Sequence, residues 1–253
     1  MLEEFAKYPF ESPFDFRKTL DTVHYPGRIN PGRDILPDEF AITSDWKICL
    51  SSDASEFMRA VAADLQDYFQ VSMNLSIRII SQPEGSGHDI ILQSANTSLN
   101  VKRSFIFSAS SQQILLSGRD ERGCAMAAYF LEDLLNLREG PYLKATPPTR
   151  KEPLFSPRIV HSGYGKTCFT PNYLRKIAHF GFDAIALYTN REQDLNFPEL
   201  FEQAEAAGLD IYFYSKFANP YHPLDPEAAD YYNQTYGALF RRYARARGIL
   251  FVG

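Results

Sequence analysis

The sequence predicts an α/β protein: a small α/β domain followed by the first half of a (β/α)8 TIM barrel. Three observations carry this. Four short apolar runs fill the C-terminal part of the chain (Arg158–Ser162, Ala184–Tyr188, Ile211–Tyr214 and Ile249–Val252), with amphipathic helical stretches between them. The pattern helix–Gly181-Phe-Asp–strand recurs as helix–Gly208-Leu-Asp–strand. Upstream, strand-like runs crowd together and then give way to the proline-rich stretch Gly140–Pro157, with prolines at 141, 147, 148, 153 and 157. A barrel of this kind has eight strands in about 250 residues and carries its chemistry at the C-terminal ends of its strands. The pattern reaches the fourth strand as the sequence reaches Gly253.

Residues 1–40 are rich in Pro, Gly and charge and read as an extended arm. Residues 41–145 read as the small α/β domain. Phe40–Thr43 and Trp46–Leu50 read as strands, and Asp53 or Ser55 caps a helix running to about Phe69. Its apolar residues Phe57, Val61, Leu65 and Phe69 recur every fourth position and predict one buried face. Strands follow over Leu75–Ile80, Asp89–Gln93 and Ser104–Ala109, and a hairpin leads into Ile114–Ser117. A second helix spans about Gly123–Asn136, with Met126, Phe130, Leu134 and Leu137 as its expected buried face. Residues 146–156 read as a linker and 157–253 as the partial barrel, with helices near 171–181, 197–207 and 226–246. Thr170 and Pro171 mark the first of these by the N-cap and N1 preferences, and Gly181 and Gly208 end the first two.

Composition narrows the function. Hydrophobic residues make up 45% and charged residues 23% of the 253 residues, ordinary for a globular chain. The net charge of −5 does not support nucleic-acid binding, which needs a basic face. The acidic N-terminus has no apolar signal core, and no run is long enough to cross a bilayer, so a cytoplasmic protein without a membrane partner is expected. Cys49, Cys124 and Cys168 are scattered and suggest neither a disulfide framework nor a metal site. The five histidines show no metal-ligand spacing, and no cofactor is expected.

The segment Gly118-Arg-Asp120-Glu-Arg-Gly123, followed by Tyr129-Phe-Leu131-Glu-Asp133-Leu-Leu and Pro153-Leu-Phe155-Ser-Pro-Arg158, resembles the end of the accessory domain before the barrel of family-20 β-N-acetylhexosaminidases. Related domains precede the barrels of family-67 α-glucuronidases. The likeness is close over 114–160 and loose over 41–253. It implies a glycoside hydrolase of carbohydrate metabolism, hexosaminidase-like or glucuronidase-like, acting on an oligosaccharide or glycoside. In family 20 the catalytic Asp-Glu pair follows strand four, so the resemblance implies an N-terminal portion without it. The family's first-strand aspartate is absent from Arg158-Ile-Val-His-Ser-Gly-Tyr, which opens the question of which sugar is bound. The Gly118/Gly123 spacing mimics a phosphate loop, but no Gly-Lys-Ser/Thr follows.

Glycoside hydrolysis needs two carboxylates across the scissile bond. Near the strand ends the sequence offers only Glu192 and Asp194, and helix-start positions account for both. No catalytic residue is assigned, and residues 1–253 alone are expected to show no turnover. Binding groups are better represented. The resemblance gives Arg158 a sugar-hydroxyl grip, against the alternative of a linker salt bridge. His161, Tyr188, Lys216 and His222 follow strand ends, where aromatic rings and a few donors suit a sugar. Two unpaired parallel edges predict self-association through the open half-barrel. The competing reading is a non-catalytic carbohydrate-binding or assembly module. A barrel lyase or isomerase would need a phosphate or metal site that the sequence does not display.

Overall fold

The computed structural model describes residues 16–83, 87–161, 169–188, 197–215, 220–222 and 224–251. The chain is a mixed α/β structure with two parallel-rich sheets. The first sheet has six strands in the order β3-β2-β4-β6-β5-β8. They are β2 (Lys47–Cys49), β3 (Arg78–Ile80), β4 (Asp89–Gln93), β5 (Phe105–Ala109), β6 (Gln113–Gly118) and β8 (Thr146–Lys151). The strands β3, β2, β4 and β6 are parallel, while β5 and β8 run antiparallel to their neighbours. Helices α2 (Glu56–Ser72) and α3 (Glu121–Arg138) pack on this sheet and on each other. The arm carries the short helix α1 (Phe16–Leu20) and then β1 (Glu39–Ala41), which pairs with β7 (Tyr142–Lys144).

The second sheet has four parallel strands in sequential order: β9 (Ile159–His161), β10 (Ala184–Tyr188), β11 (Asp210–Ser215) and β12 (Gly248–Phe251). Helices α4 (Pro171–His179) and α5 (Pro198–Ala206) connect the first three. The last connection is α6 (Ala228–Tyr232), a π-helical turn (Asn233–Gly237) and α7 (Ala238–Arg242). The stretch expected as one helix near 226–246 is thus interrupted by a π turn, which inserts a residue into the α-helical hydrogen-bond pattern, and its helical part ends at Arg242.

Two expectations need correction. The stretch read as linker from 146 forms strand β8 as far as Lys151, at the edge of the first sheet. Pro147 and Pro148 concealed it, since proline reads as a strand breaker yet is tolerated at an edge, where no N–H is required. The buried face of α3 is also not the one expected. Leu137 is 82% exposed, and Met126, Phe130 and Leu134 only flank the core. The buried residues of this helix, which packs on β6, instead include Cys124, Ala127, Ala128, Leu131 and Leu135; the small Cys and Ala side chains let the helix lie close. Helix α2 buries a wider stripe than its four-residue repeat suggests, including Asp64 and Tyr68. Burial of Cys124 pushes its thiol up to about 12.

The segment Gly118–Gly123 acts as a structural joint. Gly118 and Gly123 have no positive φ; they are required because backbone approaches closely. A Cβ on Gly123 would lie 2.5 Å from the Ser104 carbonyl oxygen. Asp120 caps α3 by accepting from the Gly123 N–H at 2.8 Å. The same carboxylate accepts from the Arg103 N–H at 3.1 Å, holding that residue at φ 64°. Arg103 and Arg122 then reach across to the second sheet. Arg103 pairs with Asp183 at 3.2 Å and Asp210 at 2.9 Å, and Arg122 pairs with Asp210 at 3.0 Å. Asp183 and Asp210 are the aspartates of the repeated Gly-x-Asp pattern, each at the N-terminal end of its strand. Gly181 and Gly208 before them adopt positive φ, as a turn from helix to strand requires.

Burial opposes charge on Asp183, but hydrogen bonds from Arg158 and the charge of Arg103 prevail and hold its carboxyl below the usual range. Gly123→Ala should cost about 1–3 kcal/mol of stability, the range for overpacking, as read by urea denaturation. Asp183→Asn should cost about 3–5 kcal/mol at neutral pH, since it breaks an ion pair at a fully buried carboxylate and leaves the partly buried Arg158 guanidinium without its counter-charge, while Arg103 keeps Asp210. Because the folded pKa lies below the ordinary value of 3.8, wild type holds this advantage above about pH 4 and loses it as pH falls through the depressed value. Melting curves of both proteins between pH 7 and pH 2 should therefore converge on the acid side.

Candidate functional site

The face of the second sheet away from the helices carries two of the candidate binding residues, His161 and Tyr188. Ile185, Leu187, Ile211 and Phe213 face the helices and belong to the core, with Val160 and Ile249 packed against it. Strand alternation puts His161, Ala186, Tyr188, Tyr212, Tyr214 and Leu250 on the opposite face. His161 ends β9 and is exposed, and Tyr188 ends β10, directly across from Tyr214 on β11. The Tyr214 ring centroid lies 4.1 Å from that of His161 and 5.8 Å from that of Tyr188. The C-terminal rim of three adjacent strands is thus a continuous ring surface. A second aromatic series lies after β11: Tyr221 meets Tyr231 at 5.4 Å, Tyr231 meets Tyr232 at 5.8 Å, and Tyr232 stacks on Tyr236 at 5.9 Å. The Tyr236 hydroxyl lies 3.5 Å from Ser215 Oγ, which joins that series to the end of β11.

Of the residues singled out from sequence, His161 and Tyr188 both lie on this rim, each against the Tyr214 ring. Arg158 does not. It precedes β9, at the opposite end of the sheet, and its guanidinium is committed to Asp183 at 2.7 and 3.2 Å. Its backbone N–H donates to the same carboxylate at 2.9 Å. This is the geometry of the linker salt bridge, the alternative weighed for Arg158. The His222 backbone N–H donates to Asp225 at 2.7 Å, and its Nδ1 accepts from the Leu224 N–H at 3.2 Å, so its ring is engaged in a turn. Lys216, Glu192 and Asp194 lie outside the described residues. Tyr214 was missed, although the alternation Ile211-Tyr-Phe-Tyr214 signals a two-sided strand with its tyrosines on one face.

A different cluster has no counterpart in the sequence reading. His24 from the arm, Asp64 from α2, Glu132 from α3 and His179, the last residue of α4, place one ligand-type atom each within 4.8 Å of one another. His179 Nε2 lies 2.5 Å from Asp64 Oδ2, and its Nδ1 lies 2.9 Å from Glu132 Oε2. His24 Nε2 lies 3.3 Å from Asp64 Oδ1, which Arg175 also contacts. Tyr129 lies against the His179 ring at 4.0 Å, and His24 meets it edge-on at 5.2 Å. The residues come from four separate segments, so no spacing motif could announce them. Burial works against a charged His179 ring, but the Glu132 and Asp64 carboxylates outweigh it and raise its pKa to about 10. Burial likewise opposes the Asp64 charge, yet hydrogen bonds from His179 and His24 hold it well below the usual range. Burial pushes Glu132 up despite the pull of His179.

No protein-family model matches the chain, and no curated protein does. Solved structures match by fold. The β-N-acetylhexosaminidase of family GH20 from Streptomyces coelicolor A3(2) aligns with a TM-score of 0.59 and 15% identity, over 80% of this chain and 50% of its own. A GH138 enzyme targeting pectin rhamnogalacturonan II aligns with a TM-score of 0.61 and 14% identity, over 82% of this chain and 30% of its own. CpGH84B aligns with a TM-score of 0.56 and 12% identity, over 88% and 43%. The chain therefore resembles part of several glycoside hydrolase structures and spans half their length or less. A Streptomyces plicatus β-hexosaminidase of the same fold was solved with the product GlcNAc.

With His179 held charged, its stabilising contribution in chelator-treated protein is fully present below its ordinary pKa of 6.5 and is lost as pH rises through about 10. Carbon-13 shifts of the His179 imidazole should accordingly remain those of the doubly protonated ring at pH 8. A midpoint near 6.5 would show that the two carboxylates do not hold the proton.

Proposed function

We propose that this chain is part of a glycoside hydrolase in which residues 159–251 supply the first four strands of a (β/α)8 barrel and the first six-stranded layer is its accessory domain. The observation that carries this is the aromatic rim of His161, Tyr188 and Tyr214 at the C-terminal ends of adjacent parallel strands. Barrel enzymes bind substrate at that end. Tyrosine and histidine rings there offer a sugar apolar faces to stack on and polar tips to hydrogen-bond. The fold likeness to GH20, GH84 and GH138 enzymes supports the class. GlcNAc in the S. plicatus structure makes an N-acetylhexosaminide the first substrate to test, and a uronide the second. Lys216 is proposed to line the same wall. Arg158 is assigned instead to the seam between the layers, on the strength of its bonds to Asp183.

A non-catalytic carbohydrate-binding module is the second reading. Among the described residues, the ends of β9, β10 and β11 carry His161, Tyr188 and Ser215, and no carboxylate. Saturation-transfer NMR with GlcNAc and with glucuronic acid tests both readings at once. The expected outcome is binding in the millimolar range, about −4 kcal/mol. Tyr214→Ala should weaken it by about 1 kcal/mol, the scale of a lost aromatic contact. Hydrolysis of the matching aryl glycoside separates enzyme from module. Absence of any transfer from either sugar, or transfer unchanged in Tyr214→Ala, would remove the rim as a sugar site.

A further inference from the structure

We infer that His24, Asp64, Glu132 and His179 form a binding site for a single divalent transition-metal ion, of the zinc type, that fastens the N-terminal arm and α4 to α2 and α3. This goes beyond the glycosidase reading and does not rest on it. The first ground is the donor set. Two imidazoles and two carboxylates, each contributing an atom within 4.8 Å of the others, make the N2O2 complement that tetrahedral zinc accepts. The second ground is independent. Glu132 Oε1 is the one buried side-chain polar atom without a hydrogen-bond partner among the described residues, and Glu132 is only 4% exposed. A buried, unsatisfied carboxylate oxygen is costly, and a cation beside it removes that cost.

The contacts around the cluster fit the same reading. Asp64 Oδ2 lies on Nε2 of His179 and Glu132 Oε2 on its Nδ1, so Nε2 can face a metal while Nδ1 donates to Glu132 Oε2, and Glu132 keeps its unpartnered Oε1 to offer the ion. That pairing fixes ring orientation in metal sites generally. The Tyr68 hydroxyl lies 3.0 Å from the Glu132 backbone carbonyl and 3.1 Å from Asn136 Oδ1 and shares its one proton between them, which steadies the helix behind the cluster. A cavity of about 290 Å³ lined by His24, Tyr68, Glu132 and His179 gives an ion a way in. The seat is buried between helices and far from the aromatic rim, which marks the role as structural. Imidazole nitrogens favour zinc over magnesium, whereas an all-carboxylate site would not.

The test uses the full chain, stripped with a chelator and dialysed, then titrated with Zn(II), Mn(II) or Mg(II) by calorimetry and thermal melting. Zinc should bind at one equivalent, in the micromolar range or tighter, and raise the melting temperature. Chelator should reverse the shift, and Mg(II) should give none. His24→Gln leaves the contacts of His179 with Asp64 and Glu132 in place, so it should fold, and it should weaken zinc at least about tenfold. His88→Gln, at an exposed histidine beside Asp45, should leave zinc binding unchanged. No stoichiometric zinc binding by wild type overturns the proposal, and so does binding that survives His24→Gln but is lost in His88→Gln. In either case the cluster is a metal-free ion network. Sugar binding at Tyr214 is unaffected by any of these results.

Discussion

The arrangement of the two layers depends on one set of contacts, the guanidinium groups of Arg103, Arg122 and Arg158 around the carboxylates of Asp183 and Asp210. Asp183 is fully buried, so its charge is tolerable only because cations and a backbone N–H surround it. The first layer supplies Arg103 and Arg122, while Arg158 comes from the entry to the second. The pairs fix where the N-terminal ends of β10 and β11 sit relative to α3. The C-terminal ends of the same strands then face away from this seam, and that is where the aromatic rim lies. The ion-paired seam and the aromatic rim thus stand at opposite ends of the same short strands.

The helices between the layers show what the junction asks of sequence. Helix α3 uses glycine, cysteine and alanine toward the sheet, which brings its backbone close. Its other flank, with Tyr129 and Glu132, is turned toward α2 and α4. Helix α2 is likewise buried on more than one side, so Asp64 and Tyr68 are buried along with Leu65. An amphipathic helix has one apolar stripe when one side is covered. When two sides are covered, the second contact can be polar if its groups find partners, and here carboxylates and imidazoles do so except at Glu132 Oε1.

Much of the fold was legible because its signals are local. Ala184–Tyr188 and Asp89–Gln93 fall where apolar runs of strand length lie, Ser55 and Thr170 cap the helices that follow them, and Gly181 and Gly208 stand at turns needing positive φ. Local signals failed where context overrode them, as at the edge strand carrying Pro147 and Pro148 and at the small-residue face of α3. The rim was half legible. His161 and Tyr188 follow from placement at strand ends, whereas Tyr214 needed the register across β10 and β11. Arg158 was ambiguous because a sequence shows that an arginine is present, not which end of the strand its side chain serves. The buried His–carboxylate cluster was illegible, since it assembles only when the arm, α2, α3 and α4 are brought together.

The backbone of Arg103 carries a consequence for how this protein can change. At φ 64° it occupies the left-handed region, which costs a non-glycine residue about 1–2 kcal/mol. Asparagine or glycine would sit there more comfortably, but neither could span to Asp183 and Asp210. The chain accepts local discomfort in the first layer to gain reach into the second. Intrinsic stability of one layer and cohesion between the two are therefore opposed at a single side chain, and a substitution there would raise the first while weakening the second, leaving Arg122 to hold Asp210 alone from the first layer.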